Sequence, residues 1–228
     1  MHALIQAGPS VVRLHLRGIY DLSGEFFCWE MATALAGWRI GIIPLDQPNV
    51  EAAKALALQM VAAYQKNSAL PVLASTLQAD EIIVYADAPA QSLEETLNIF
   101  LAQSRPGDYL MLQAYVQPTG QTSAALQQLR THLRDKLRFA TTVGYGSGSL
   151  HSTDQLHKGD TGNRLFIQCT GDAPWDAPIP DEAGSPTSSI TFGVLKMAQT
   201  LSDRQALLDA RPSGAPSRFT WARTWSAD

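Results

Sequence analysis

The chain is predicted to fold as a three-layer α/β protein, with a mostly parallel sheet flanked by helices. Short apolar runs, such as residues 82–84 and 109–112, alternate along the chain with segments whose apolar residues recur at helical spacing. Turns that contain glycine or proline separate these runs from the helical segments. This alternation is typical of βαβ units, in which helices cover both faces of a parallel sheet.

Six strands are predicted from apolar patterning. Residues 11–16 alternate apolar and basic side chains, which is typical of a strand with one wetter face near a sheet edge. The other five are short apolar runs bounded by turn residues, which indicates buried strands. They occupy residues 39–43, 80–86, 108–116, 138–143 and 164–170.

The predicted helices begin at capping residues and end at glycine or proline. Ser23 and Ser92 can each cap a helix, and Pro48 suits a first turn because its missing N–H is not needed there. Gly37 is expected to end the first helix, and Arg105-Pro106-Gly107 to stop the third. The predicted helices span residues 23–36, 48–66, 92–103, 122–137, 192–200 and 202–210, with a short helix from residue 152.

Composition indicates a globular protein with one large domain. The 228 residues are 45% hydrophobic and 17% charged, with a net charge of −4. No basic excess suggests a nucleic-acid partner, and no apolar run approaches the roughly 20 residues that span a bilayer. The first residues lack the pattern of a signal peptide, so we expect a cytoplasmic protein. We expect a single domain over residues 1–210, and a loosely attached tail over 211–228 with an edge strand near Phe219.

The two cysteines, Cys28 and Cys169, each lie within an apolar element. Buried free thiols are the favoured interpretation, and a disulfide is the alternative.

The first candidate functional loop covers residues 46–54 and leads into a helix. Gln47 stands at the helix entrance, and Lys54 follows seven residues later, so both face the same side of the helix. A helix start with a lysine nearby suits an anionic or polyhydroxylated ligand. The alternative is a solvated lysine and a capping amide.

The second candidate loop covers residues 150–159 and follows a glycine-rich turn over 144–149, which is predicted to be neither helix nor strand. His151, Gln155 and Lys158 lie on one side if this loop closes into a helix. Because both candidate loops follow a predicted strand, Gln47 and His151 are expected at the carboxyl ends of the strands, where open α/β sheets bind ligands.

His151 has hydroxyl neighbours and can serve in acid–base chemistry near neutral pH, or else be structural. No metal site is expected, because His151 and His157 are six residues apart and no cysteine or carboxylate cluster supports them. There is no phosphate-binding P-loop and no complete dinucleotide fingerprint, so no cofactor is expected.

Both loops resemble segments of the phosphoglucose isomerase family. Residues 46–54, DQPNVEAAK, resemble the end of the family signature, (Phe/Tyr)-Asp-Gln-x-Gly-Val-Glu-x-x-Lys. Residues 24–37, 150–159 and 190–199 are similar to the isomerase part of bifunctional transaldolase/phosphoglucose isomerases. The resemblance covers roughly residues 20–65 and 105–200.

The resemblance implies a sugar-isomerase (SIS-type) domain that interconverts glucose 6-phosphate and fructose 6-phosphate, a step of glycolysis and gluconeogenesis. It implies that His151 helps to open the sugar ring, that Lys54 contacts the ring-oxygen region, and that Gln47 contacts the substrate. Ser152, Gln155 and Lys158 of the matched segment are then further substrate contacts. The family builds its site at a dimer interface, so a homodimer, a second isomerase lobe or a transaldolase domain is an expected partner.

The sequence departs from the family at several points. Leu45 stands where the signature has an aromatic residue, and Asn49 where it has glycine. The Lys54 segment precedes the His151 segment, whereas longer phosphoglucose isomerases have the reverse order. No residue matches the family's base glutamate, for which Asp135 is a possible substitute, or its phosphate-binding Ser/Thr cluster. A phosphosugar-binding module without turnover is therefore the alternative function.

Overall fold

The computed structural model describes residues 11–46, 48–86, 88–138, 140–149, 153–172, 175–210 and 219–224. The predicted site residues Gln47, His151 and Ser152 lie outside this part of the chain. The chain divides into two compact units after Asp46, which replaces the single domain expected over residues 1–210. Apolar periodicity locates helices and strands, but it does not reveal where contacts between segments stop.

The first unit is built on one long helix, α1 (Ile19–Ile40). It ends at Gly41, whose φ of 75° is the left-handed conformation that favours glycine at a helix end. The helix runs to Ile40, past the end predicted at Gly37, and the backbone N–H of Ile42 closes the helix end by donating to the carbonyl of Gly37. The predicted strand over 39–43 is therefore wrong, and residues 11–16 are exposed and form no strand either.

The second unit contains the sheet and the remaining helices. Ser92 caps its helix as predicted, since its hydroxyl accepts from the backbone N–H of Glu95 at 3.1 Å. Thr191 does the same for the last helix by accepting from Val194. The helices are α2 (Pro48–Asn67), α3 (Leu93–Leu101), α4 (Gly120–Leu137), α5 (Gly146–Ser149), α6 (Asp154–Lys158) and α7 (Phe192–Asp209).

Among the described residues, six strands form the main sheet, and two short strands form an antiparallel pair. In the main sheet the order is β1-β2-β8-β5-β3-β4, with parallel pairing from β8 through β4 and antiparallel pairing of β1 with β2 and of β2 with β8. The strands are β1 (Leu77–Ala79), β2 (Ile82–Tyr85), β3 (Tyr109–Tyr115), β4 (Ala140–Tyr145), β5 (Arg164–Gly171), β6 (Pro178–Ile179), β7 (Ile190–Thr191) and β8 (Phe219–Thr224).

Helices cover both faces of this sheet, which confirms the α/β class. On one face, Leu110 and Leu112 of β3 pack with Phe100 of α3 and Leu133 of α4. On the other face, side chains of β3 and β5 pack with Leu201 and Leu207 of α7 and with α2. The alternation of side chains along each strand produces these two separate cores.

The sheet interior corrects the predicted tail. Strand β8 lies between β5 and β2 and is paired on both sides, so residues 219–224 are neither a loose tail nor an edge strand. The Pro/Ser-rich composition before β8 is typical of a linker, but whether a segment pairs as a strand depends strongly on its tertiary context. Helix α7 is likewise continuous where two helices were predicted.

The glycine-rich segment and the cysteines also differ from expectation. Residues 144–145 extend β4, and 146–149 form one helical turn. Cys28 is exposed rather than buried, and burial raises the pKa of the Cys169 thiol to about 11. Within the described ranges, no helix combines the length and the apolar character that crossing a membrane requires.

Candidate functional site

Helix α6 brings the two candidate loops together. The side-chain oxygen of Gln155 accepts a hydrogen bond from the backbone N–H of Asn49, with 3.2 Å between the two atoms. Asn49 belongs to the first turn of α2, where backbone N–H groups have no partner within the helix. Gln155, predicted to bind substrate, therefore uses its carbonyl oxygen to cap α2.

The start of α2 lies at the amino ends of the parallel strands. Asn49 lines a small cavity together with Ala206 and Asp209 at the end of α7. That end of α7 is next to the first residue of β5, because the Arg164 guanidinium donates to the carbonyl of Leu207 at 3.3 Å. The prediction that this loop follows the carboxyl end of a strand is therefore wrong, since residues 39–43 form no strand.

A buried cluster joins α6 to the amino ends of β3 and β5. The Tyr109 hydroxyl donates to the Asp160 carboxylate at 2.6 Å and lies 3.0 Å from Nδ1 of His157. The Arg164 guanidinium forms a close ion pair with Asp160. The ring of Phe166 meets His157 edge-on, with 5.8 Å between the centroids. His157 is only 4% exposed, and its ring is packed between Tyr109 and Phe166.

The hydrogen-bond directions assign the tautomer of His157. The Tyr109 hydroxyl has one hydrogen, and the Asp160 carboxylate can only accept it. Nδ1 of His157 must then donate to the Tyr109 oxygen, which leaves Nε2 without a proton in the neutral ring. Burial holds the pKa of His157 below its usual range, and the positive charges of Arg164 and Lys158 lower it further against the opposing effect of Asp160. Burial and the hydrogen bond to Asp160 raise the pKa of Tyr109.

Acid is expected to destabilise the protein through His157. The unfolded chain takes up a proton near pH 6.5, while the native ring resists protonation until the pH falls below its lowered pKa. Between these two pKa values the unfolded state binds more protons, so the free energy of unfolding falls by up to about 1.4 kcal/mol per pH unit as the pH decreases. His157→Asn keeps a donor near Nδ1 but cannot titrate. Urea unfolding between about pH 7.5 and 5 should show a shallower pH dependence for this variant.

His132→Asn is the matched control, because His132 is exposed on α4. It should retain the pH dependence of the wild-type protein. An unchanged slope in His157→Asn would show that other groups cause the acid sensitivity.

Lys158 forms a buried ion pair with Asp203 of α7. Its Nζ lies 2.8 Å from Oδ1 of Asp203, and the two side chains are 1% and 0% exposed. Two residues of β3 also bind this carboxylate, since Gln113 donates to it at 3.1 Å and the Tyr115 hydroxyl donates to it as well. Lys158, predicted to bind substrate, is instead committed to a structural ion pair with no surface to offer a ligand.

The polar network continues across the sheet toward the carboxyl end of β3. Gln168 of β5 donates to Gln113 at 2.9 Å and to the carbonyl of Thr200 at 3.2 Å. Tyr115 is the last residue of β3, and its ring packs so closely on Gly146 that a side chain there would collide with it. Because α4 and α7 leave β3 and β5 on opposite faces, this is the switch point of the sheet, where such folds place ligands.

Lys54 and Asp135 lie on the surface. Nζ of Lys54 is 2.6 Å from a carboxylate oxygen of Glu51, and both side chains are exposed. Such a pair contributes about 0–1 kcal/mol, so it leaves Lys54 available to a ligand. Asp135 is exposed and paired with Arg134 at 2.8 Å. It belongs to α4, on the sheet face opposite α6, and therefore does not suit the role of a base at this site.

A separate cleft of about 600 Å³ lies near the carboxyl end of β5. Its polar residues include Asp172, Asp176 and Lys196. Nζ of Lys196 donates to the carbonyl of Gly171 at 2.6 Å, while Asp176 accepts from the backbone of Gly193 at 2.7 Å. Two carboxylates against one lysine disfavour an anionic ligand in this cleft.

Several residues of the network were absent from the predicted site. Asp203 is the most informative, because it repeats the spacing of Thr200 and Leu207 on the sheet-facing side of α7. A carboxylate on an apolar helix face is the signal that could have found it. Gln113 and Gln168 are similar, as each interrupts an apolar strand and the two are direct neighbours in the sheet.

In the described part of the chain, no three His, Cys, Asp or Glu side chains come close enough to hold a metal ion together. No protein-family model matches the chain, and none of the curated proteins does. Among solved structures, the chain is similar to the crystal structure of a hypothetical protein, TT0462, from Thermus thermophilus, with 17% identity and a TM-score of 0.47. The match covers 74% of this chain and 38% of that protein.

Proposed function

We propose that this chain contributes to an aldose–ketose isomerase of the phosphoglucose type, which interconverts glucose 6-phosphate and fructose 6-phosphate on a SIS-type domain. The observation that carries the proposal is the hydrogen bond between Asn49 and Gln155. These residues belong to the two segments that resemble the isomerase family, and 106 positions separate them. An isomerase site built from both segments requires such proximity.

The proposed chemistry divides between the two segments. His151 assists the opening of the sugar ring as an acid–base group, and Lys54 contacts the ring-oxygen region through its ammonium group. Exposure of Lys54 supports this role, because a ligand can displace its weak pairing with Glu51. Transfer of the proton between C1 and C2 requires a carboxylate base. The proposal assigns that base to another part of the assembled enzyme, such as a partner subunit or a further lobe.

The second candidate is a module that binds phosphosugars without turnover. The position of Asp135 supports it, because this possible base is exposed on the sheet face opposite α6. Lys158 and Arg164 are committed to Asp203 and Asp160. Neither is left to bind a phosphate, which otherwise provides a large share of such a ligand's affinity. Binding of fructose 6-phosphate by this chain is then expected in about the millimolar range.

Incubation of the protein with fructose 6-phosphate in deuterium oxide tests the two candidates. An isomerase that forms an enediol exchanges the transferred proton with solvent, so NMR should detect deuterium in the sugar and formation of glucose 6-phosphate. Lys54→Met should lower the rate by about tenfold to a hundredfold, because one charged hydrogen bond is lost. Lys66→Met is the control, since Lys66 is also an exposed lysine of α2.

The outcomes separate the candidates. Binding of fructose 6-phosphate in titration calorimetry without deuterium uptake supports the binding module. Absence of both binding and uptake contradicts both functions. Equal rates in the Lys54 and Lys66 variants would remove Lys54 from the site.

A further inference from the structure

We infer that Asp203 is a positioning residue, which fixes helix α6 and thereby the contact of Gln155 with the start of α2 that joins the two segments of the proposed site. The functional part of this inference rests on the proposed isomerase, because only then does the approach of these two segments affect a reaction. The structural part rests on the contacts of α6 alone.

Helix α6 needs external anchors. It has five residues, and a helix that short is not stable on its own in water. The side chain of its N-cap residue, Thr153, makes no capping hydrogen bond. The order of α6 must therefore come from its contacts with other elements.

Three side chains of α6 provide such contacts. Gln155 binds the start of α2, and His157 binds Tyr109 at the start of β3. The third, Lys158, binds Asp203 in the middle of α7. Of these contacts, that of Lys158 is the one between full charges with both side chains buried.

Asp203 is also bonded to a buried strand of the sheet. Its second carboxylate oxygen accepts from Gln113 and Tyr115, and both belong to β3, whose residues from Leu110 to Tyr115 are all buried. One carboxylate therefore connects α6, α7 and the strand at the centre of the parallel part of the sheet. Hydrogen bonds of fixed direction determine a position, whereas apolar packing of similar volume tolerates shifts.

The double variant Lys158→Met/Asp203→Asn separates the position of α6 from overall stability. It removes both charges of the buried ion pair, and the new amide oxygen can still accept from Gln113 and Tyr115, so the urea midpoint should stay close to that of the wild type. Hydrogen exchange of the α6 amides should nevertheless accelerate by about tenfold, which corresponds to roughly 1.4 kcal/mol of local opening free energy. Amides of β3 and β5 should exchange as in the wild type. If Asp203 only supported overall stability, the exchange of the α6 amides would change only when the urea midpoint changes. Unchanged α6 exchange in this variant therefore overturns the inference.

Tyr115→Phe provides a second route if the double variant does not fold. It removes one hydrogen bond to Asp203 and keeps both charges, so α6 exchange should rise by about threefold with the strands unaffected. Unchanged α6 exchange overturns the inference here too. Lys196→Met is the control, because it removes a half-buried lysine of α7 that binds the carbonyl of Gly171 rather than α6.

Deuterium uptake by fructose 6-phosphate then tests the functional part. The double variant should lose uptake at saturating sugar while its stability is retained. If the wild-type protein shows no uptake, the proposed function fails and the hydrogen-exchange comparison still decides the role of Asp203. If α6 exchange is unchanged, the positioning role fails whatever the uptake.

Discussion

Lys158→Met is expected to lower the free energy of unfolding by about 3–5 kcal/mol. The variant removes a counter-ion 2.8 Å from the Asp203 carboxylate, whose side chain is 0% exposed, while the hydrogen bonds from Gln113 and Tyr115 remain. A buried charge that has lost its counter-ion pays its desolvation cost without the compensating attraction. Urea unfolding at neutral pH, analysed with an unchanged m-value, measures the loss.

Lys54→Met is the matched control for this prediction. The pair between Lys54 and Glu51 is shorter, at 2.6 Å, but both side chains are exposed. Solvent screening limits its contribution to about 0–1 kcal/mol, so this variant should be nearly as stable as the wild type. Similar losses for both variants would mean that burial does not determine the strength of the Lys158 pair.

His151→Ala is expected to lower isomerase activity by about 10²–10⁴-fold, the usual effect of losing an acid–base group. The residue follows a glycine-rich segment, so truncation should remove little of the packed core. The measurement is the rate of fructose 6-phosphate conversion coupled to glucose-6-phosphate dehydrogenase, expressed per folded molecule. His132→Ala, at an exposed position of α4, should leave that rate unchanged.

A different pattern would assign His151 to the structure. If the melting temperature falls by several degrees while activity per folded molecule is unchanged, the acid–base role is wrong. Lys54 would then remain as the candidate residue of the proposed site.

The central strands were predictable because their patterns admit one interpretation. The apolar runs of β3 and β5 are flanked by turn residues and followed by helical periodicity, and both strands appear where expected. Ser92 caps its helix as predicted, because its local hydrogen bond to Glu95 depends only on nearby chain. Residues 39–43 were misread because a short apolar run fits the end of a helix as well as a strand, and only length separates the two.

The sequence by itself therefore determined the α/β class, the central strands β3 and β5, and the capped start of α3 at Ser92. Only the tertiary structure decided the place of β8 and the partners of Lys158. Strand β8 follows a stretch with the composition of a linker. It is nevertheless a sheet strand, because its backbone supplies hydrogen-bond partners to β5 on one side and β2 on the other, which buried backbone groups require. Lys158 and Asp203 are 45 positions apart, and both residue types usually face solvent. Neither charge can be buried without the other, so the pairing of Lys158 with Asp203 follows from the packing of α6 and α7 on the same face of the sheet and not from the sequence pattern.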